Sequence, residues 1–412
     1  MNAADYTHNH YVPEWYQKRF LCPNKSKLHR LNLAPDIIEY RGKRFKHNDV
    51  KEVGPKSCFA EDNLYTTQWG PLTNTDIEQF FFGKIDTKGR AAVNFFCDYG
   101  VRNGLHEAYQ DLVLYMSVQK LRTPKGLQAL AKLLRVGQHN DLLIELQRFQ
   151  AMHCAVWTDC IWQIADAGKS STKFIITDHP VTVYNRGCFP GSKHCGPIMD
   201  PDIRRVATHT VFPLSPEKLL ILTNLSWVRN PYQKELNWGP NKKMFHSTMF
   251  NGADIQQGRM LSESEVRQIN YIMKQRAMRY LAAGEREWLF PEHHLPSTHW
   301  SKLGQGYLLM PEPRDIHMGG EIFVGYDNGR SEAWNEYGQR PWEQGYKDDK
   351  RFDKESATLR RFQDEFAAMH GPRWRGWSES FGNSGPHTDS EKTYKWHIDR
   401  ASKRGVKAGK SV

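Results

Sequence analysis

Lys173-Phe-Ile-Ile-Thr-Asp-His-Pro-Val-Thr-Val-Tyr184 decides the fold class. β-Branched and aromatic residues flank an Asp-His-Pro break. Such residues suit a pleated surface, and proline cannot continue a central ladder, so the stretch reads as two extended runs joined by a turn. It follows a helical middle. From Asp76 onward Ile77, Phe80, Phe81, Ile85, Ala92, Phe95 and Phe96 keep helical spacing, and helices are expected at about 105–122, 125–136 and 140–166. Pro124 separates the first two. Downstream, residues 186–205 are rich in Gly, Pro and Arg and read as a long loop. Val206 to Leu222 holds two more strands around Pro213-Leu-Ser-Pro216. Ser262 to Ala283 reads as one helix: Ser262 caps it, Glu265 lies three residues on, and Val266, Ile269, Ile272 and Met273 form its apolar stripe. Lys27–Leu33, Ile37–Tyr40 and Asn63–Thr67 read as extended pieces near the start. Helix and strand are mixed, which makes the class α+β: a mixed domain over about 1–290 with a helical middle and a small sheet.

The chain opens on a dense element, His8-Asn-His-Tyr-Val-Pro-Glu-Trp-Tyr-Gln-Lys-Arg-Phe20. Val12 precedes a proline and is expected to be extended, whereas Pro13 suits a first helical turn with Glu14 favourable against the helix dipole. Tyr16 and Phe20 then share a helical face. An extended lead-in puts His8 and His10 on the same side. A terminus built this way must dock on something.

The 412 residues are 39% hydrophobic and 25% charged, ample for a packed interior, and leave room for two domains or one core with an appendage. Near Pro296 aliphatic residues thin out while Gly, Trp, His and Arg rise, marking residues 291–412 as an irregular aromatic and basic extension. Within it Glu321–Val324 reads as a strand. Lys354–Met369 reads as a helix with Leu359, Phe362, Phe366 and Met369 on one face. A net charge of +11 suits a polyanionic partner, nucleic acid above all, and equally suits a merely basic soluble protein. Seven cysteines without a CxxC pair read as reduced thiols in the cytoplasm, with Cys154 and Cys160 as small core residues of a helix. Cys188, His194 and Cys195 make half a zinc site that lacks its second ligand pair. No signal-peptide pattern is visible, and apolar runs fall short of the ~20 residues a membrane span needs.

Five segments recur in a recognisable order: His10–Pro13; Asn63-Leu-Tyr65 before Ile77-Glu78; Gln119-Lys-Leu-Arg-Thr-Pro124; Phe174–Val181; and Phe212-Pro-Leu-Ser-Pro216, with Asn270 in the late helix as a further match. Together they resemble the bacterial family with a His-Tyr-Val-Pro motif designated domain of unknown function 4238. The resemblance spans roughly residues 8 to 283. His179 departs from it, standing where the family motif usually has Asn, and nothing after about residue 295 matches. What the resemblance implies is the domain; it supplies no reaction.

Chemistry must therefore be read from side chains. Asp178 ends an apolar strand and is expected at a sheet rim, as a catalytic or metal-binding acid or as a residue that only shapes its turn. Glu78 and Asp86, eight residues apart on one helix, fall on nearly one face. With Asp178 they would offer hard oxygens to Mg²⁺ or Mn²⁺; otherwise they are solvated surface acids. His8 and His10 are candidates for acid–base work or phosphate contact, or they pack beside aromatics and satisfy carbonyls. Arg19, Gln119 and Arg122 can hold phosphate, or the arginines pair with the acids just named. Arg373 and Arg375, in Pro372-Arg-Trp-Arg-Gly-Trp377, together with Trp396, His397, Arg400 and the basic last residues, offer a cationic, aromatic contact for nucleic acid or an amphipathic tail folded back on the core. P-loop, GxGxxG, HExxH and GxSxG patterns are absent, which removes support for nucleotide-hydrolase, dinucleotide, zincin and hydrolase-elbow readings.

Two functions stand against each other. One is a divalent-metal-dependent phosphodiester hydrolase of nucleic acid, a defence-type nuclease. In it Asp178 and Glu78 hold the metal, Asp86 or His10 activates water, and His8, Arg19, Gln119, Arg122, Arg373 and Arg375 contact substrate. The other is a non-enzymatic basic binding or adaptor protein whose acids and arginines are structural ion pairs. An Asp178 turned inward and capped only by backbone amides defeats its catalytic assignment.

Overall fold

A computed structural model describes residues 8–40, 43–46, 49–100, 103–196, 199–239, 254–318, 321–335, 339–373, 375–379 and 388–406. Its centre is a five-stranded sheet in the order Thr182–Asn185, Thr208–Pro213, Lys218–Asn224, Cys160–Asp166, Gln256–Met260, antiparallel except for the last pair. Lys218-Leu-Leu-Ile-Leu-Thr-Asn224 is apolar on both faces because both are covered. Leu220 and Leu222 join Trp162, Phe212 and the helices Gly83–Cys97 and Leu105–Arg122 in one core. Leu219 and Ile221 meet Val266, Ile269, Ile272 and Met273 of the helix Glu263–Arg276 in another.

A second, antiparallel sheet runs Ile176–Thr177, Tyr280–Ala283, Leu28–Asn32, Val50–Val53. The Asp-His-Pro turn thus carries the chain from one sheet to the other: Ile176–Thr177 pairs in the second, and Thr182–Asn185 forms an edge of the first. The strands expected at Lys27–Leu33 and Ile37–Tyr40 are present as Leu28–Asn32 and Ile37–Tyr40. The class is α+β.

Two expected helices are cut short. Residues 140–166 divide into helices His139–Arg148 and Cys154–Thr158 and a strand, Cys160–Asp166, so Cys160 lies on a strand. Cys160-Ile-Trp-Gln-Ile-Ala-Asp166 is too short to show its period unambiguously, and seven in-register pairs with Lys218–Asn224 settle it. Residues 262–283 hold the helix Glu263–Arg276, with Ser262 and Glu265 in a reciprocal capping box, followed by the strand Tyr280–Ala283. The next three-residue run of amides, 278–280, is taken by Asp178 instead of helical carbonyls.

The N-terminal element docks as its composition demanded. His8–His10 pairs with Ala60–Asp62, Pro13 caps the short helix Glu14–Lys18, and Tyr16 stacks on Phe212 with ring centroids 5.4 Å apart. The C-terminal region carries the helix Asp349–His370, which packs Leu359, Phe362 and Phe366 against Val206, Trp227 and Met310. An unanticipated helix, Glu391–Lys403, docks on Asp364 through His397, Arg400 and Arg404 at 2.8, 3.0 and 2.7 Å. Among the described residues no helix is long and apolar enough to cross a membrane.

Candidate active site

Arg122 ends the helix Leu105–Arg122, where a cation is favourable against the dipole, and Thr123 and Pro124 start the next helix with the Thr123 hydroxyl accepting the Gly126 amide at 3.1 Å. Its guanidinium is only 1% exposed and spends its donors locally. It pairs with Asp86 (2.8 and 3.1 Å) and donates from Nε to Gln119 Oε1 at 2.9 Å. The Gln119 amide then donates to the Tyr11 carbonyl at 2.7 Å, and the Tyr65 hydroxyl to the Arg122 carbonyl at 2.8 Å. Tyr115, beneath the guanidinium, packs on Phe212. Four segments far apart in sequence therefore meet here, and Glu78 borders them.

Glu78 lies on a π-helical stretch, Ile77–Phe82, a rare conformation found disproportionately at functional sites. The residue is half-buried, and its Oε2 is sealed from solvent without a hydrogen-bond partner. Burial pushes its carboxyl up to about 7; Asp86 adds to the shift and Arg122 opposes it. Burial also raises Asp86, against the pull of Arg122. On the other side of Tyr115 the Trp15 indole N–H, with ring centroids 5.5 Å apart, is likewise without an acceptor. An orphaned buried donor or acceptor costs about 1–3 kcal/mol, so Glu78 Oε2 and the Trp15 N–H are each held here at the expense of stability.

Asp178 does not join this group. Its carboxylate accepts the backbone amides of Met278 (2.9 Å), Arg279 (2.6 Å) and Tyr280 (2.8 Å), while its own amide donates to the Tyr280 carbonyl. This corrects the expectation of a catalytic, metal-holding Asp178: both oxygens are consumed in turning the chain from helix to strand. With its oxygens on these amides Asp178 is not free to share an ion with Glu78, and among the described residues no group of three or more His, Cys, Asp or Glu side chains is gathered as a metal site. Asp178→Ala is expected to cost about 2–4 kcal/mol in urea unfolding, because three part-buried amides lose their acceptor; Asp178→Asn, which keeps one oxygen, should lose less.

The histidines do structural work. His8 donates to Asp62 (2.6 Å) and to the Lys56 carbonyl (3.1 Å), and the Asp62 bond raises its pKa; using both ring nitrogens as donors suits the charged form. His10 bonds the same carbonyl at 3.0 Å, and burial lowers its pKa. Among the described residues no hydrogen bond or ion pair joins either ring to Glu78, Asp86 or Arg122, so the cluster is built without His10 as water activator or His8 as substrate contact. Arg19 is also committed: it bonds the Leu214 carbonyl (2.9 Å), Asn94 (2.5 Å) and Cys97 (2.8 Å), tying the first helix to the Pro213–Pro216 turn. Arg373 pairs with Asp315 (2.5 Å) and Asp389 (3.2 Å). Arg375, 4% exposed, donates to the Tyr307 carbonyl at 2.7 Å. The two turn inward and form no cationic surface for substrate. Trp374 and the basic residues 407–412 lie outside the described residues.

Sequence reasoning missed a second buried cluster. Asp200, in the long loop, receives Lys120 and, at 2.6 Å, Lys125; His179 Nε2 lies 3.1 Å from it and His179 Nδ1 2.7 Å from the Thr123 hydroxyl. Thr123, His179 and Asp200 outline a nucleophile triad, but the hydroxyl is already the helix cap, Thr123 and His179 are buried, and the Asp200 side chain is 7% exposed. A lysine separated by 80 residues from its carboxylate leaves no local signature. Also unforeseen is a groove of about 140 Å³ on the second sheet, lined by Arg30, Asn32, Asp36, Asp49, Lys51, Arg279 and Tyr280. Arg30 and Lys51 are directly opposed across strands, and Arg30 and Arg279 both lie over the Tyr280 ring, at 4.7 and 5.3 Å.

A family model described as protein of unknown function (DUF4238) matches residues 8–287, a span that contains every side chain of the Arg122 and Asp200 clusters and of the groove. No curated protein and no solved structure matches the chain.

Proposed function

The chain belongs to the DUF4238 family, and on that premise we propose that it is an enzyme whose site is built by Glu78, Asp86, Gln119 and Arg122, hydrolysing phosphodiester bonds of nucleic acid. One observation carries the reading: a carboxyl poised near neutrality, with a buried oxygen that has no partner, next to a guanidinium held rigid by Asp86 and Gln119. Such a group accepts a proton from water efficiently at physiological pH. Glu78 is the base; the Asp86–Arg122 pair sets its charge environment and fixes the helix behind it. The basic balance of +11 favours a polyanionic substrate, and seven cysteines without a disulfide among them suit a reducing cytoplasm. With Asp178 withdrawn from the ligand set, the need for a cation is decided by experiment.

The test incubates single-stranded DNA, duplex DNA and RNA with the purified protein in Mg²⁺, Mn²⁺ or EDTA, beside Glu78→Gln. Cleavage that rises with pH through about 7 and falls roughly 10²–10⁴-fold in the variant supports the proposal. Equal cleavage by both proteins overturns it.

The groove favours a second reading, a nucleic-acid-binding protein without catalysis. Three cations against two acids, with like charges opposed across the ladder, gain from a phosphate between them. Salt-sensitive binding without cleavage, unchanged in Glu78→Gln and with the salt slope reduced by about one each in Arg30→Ala and Lys51→Ala, would establish it.

A further inference from the structure

The long loop folds its two cysteines against the helix Glu263–Arg276. Tight turns, Cys188 N–H to the Asn185 carbonyl, Ser192 N–H to Phe189 and Cys195 N–H to Ser192, fold the loop so that Cys188 and Cys195 reach the same guanidinium. Both are free and buried. Facing them is Arg276, 3% exposed, over the Trp300 ring at 4.8 Å. Its Nη1 lies 3.4 Å from Cys195 Sγ, and Nη2 donates to the Cys188 carbonyl.

Arginine is charged at any pH a protein meets, and a buried charge is tolerated only when paired. Among the described residues Arg276 pairs with no carboxylate; the ionisable side chain it touches is Cys195. Its neighbourhood is already cation-rich. Lys125 donates to the Arg276 carbonyl at 2.6 Å, and Lys125 and Lys120 share the single carboxylate of Asp200. A thiolate at Cys195 supplies the missing negative charge. Two more neighbours bear on it: the Ser192 hydroxyl at 3.5 Å favours the anion, and the Phe189 carbonyl at 3.0 Å, where a neutral thiol would donate, opposes it. The balance falls on ionisation: the Cys188 thiol, against burial and helped by Ser192 and Arg276, holds Cys195 well below the ordinary thiol range, whereas Cys22, Cys58, Cys97 and Cys154 are all pushed up, chiefly by burial.

We infer that Cys195 and Cys188 form an oxidative modification site, in which Cys195 attacks a peroxide as the thiolate and Cys188 resolves the product to a disulfide. The thiolate sulfur takes one oxygen from hydrogen peroxide, breaking the O–O bond; hydroxide leaves and gains a proton, giving Cys195 sulfenic acid and water. The Cys188 thiol then attacks that sulfur and the sulfenic oxygen leaves as water, forming the S–S bond. Two electrons pass from the two sulfurs to the peroxide. Oxidation also removes the anion from Arg276, so it acts on the loop's attachment to the helix.

The experiment treats the reduced full-length protein with equimolar hydrogen peroxide, alkylates the remaining thiols and maps peptides by mass spectrometry. A Cys188–Cys195 disulfide forming at least about tenfold faster than oxidation of Cys22 or Cys97, both more exposed, is the expected result. In Cys188→Ser the reaction should stop at a sulfenic acid on Cys195 that a dimedone probe captures. Oxidation of Cys22 or Cys97 first, or a sulfenic acid on Cys188 rather than Cys195, overturns the inference. The wild-type map stands even if a variant fails to fold.

Discussion

Asp200→Ala is expected to destabilise the protein by about 3–5 kcal/mol and to lower its melting temperature by roughly 3–6 °C, since it strips the anion from two buried lysines. Removing one partner of a buried ion cluster costs far more than the cluster contributes, because the remaining charge stays desolvated. Burial pushes Asp200 up, but Lys120, Lys125 and His179 outweigh it and hold the carboxyl well below the usual range. His179 does not share the positive charge, because burial drives its pKa down to about 3. Against a total stability of about 5–15 kcal/mol such a loss is readable by calorimetry or urea unfolding. The sign with pH follows from the depressed carboxyl: its contribution is present above the unfolded value near 4 and fades as pH falls through the folded one, so wild type and variant converge in acid. Lys120→Met in the Asp200→Ala background should recover part of the loss by deleting an orphaned cation, a coupling that a double-mutant cycle measures. A variant as stable as wild type at neutral pH would sink this account of the cluster.

The sequence was most legible where one period ran long enough to be read alone. Leu105–Arg122 and Asp349–His370 hold the helices their apolar spacing and Pro124 indicated, and the Asp-His-Pro break divides two strands. Reading failed at Cys160–Asp166 and Tyr280–Ala283, short apolar pieces attached to helical patterns, where the deciding contribution is ladder pairing with strands far away in sequence. The site shows the same division. Asp86, Gln119 and Arg122 lie on helices whose spacing aims their side chains predictably, and they meet; Glu78, on a π-helical stretch, feels the charges of Asp86 and Arg122. Asp178, His8 and His10 depend on which backbone groups arrive beside them, amides 278–280 and the Lys56 carbonyl, and no local pattern announces those. Arg373 and Arg375 were legible as cations but not as inward ones, because their partners Asp315, Asp389 and the Tyr307 carbonyl lie across a region of little periodicity.

Glu78→Gln is expected to make the protein more stable above pH 7 while lowering hydrolysis roughly 10²–10⁴-fold. The folded carboxyl sits near 7, above the ordinary 4.5, so the native state keeps a proton that the unfolded chain releases. Between those two values each rise in pH favours unfolding, and above 7 the whole penalty is in force. Glutamine cannot ionise and escapes it. A shift of this size, discounted for the half-exposed position of the residue, is worth about 1–3 kcal/mol. Wild type and variant should therefore unfold alike below about pH 4.5 and separate progressively toward pH 8, with the variant higher. A purely structural glutamate gives the opposite result: an acid recruited to neutralise Arg122 is stabilising when charged, and its loss would lower stability most at high pH. Arg122 already has Asp86 at 2.8 Å for that task. Stability gained together with cleavage lost is what a residue kept for chemistry at the expense of the fold must show. Stability lost at pH 8 would return Glu78 to the ion-pair network and leave the sheet groove as the protein's working surface.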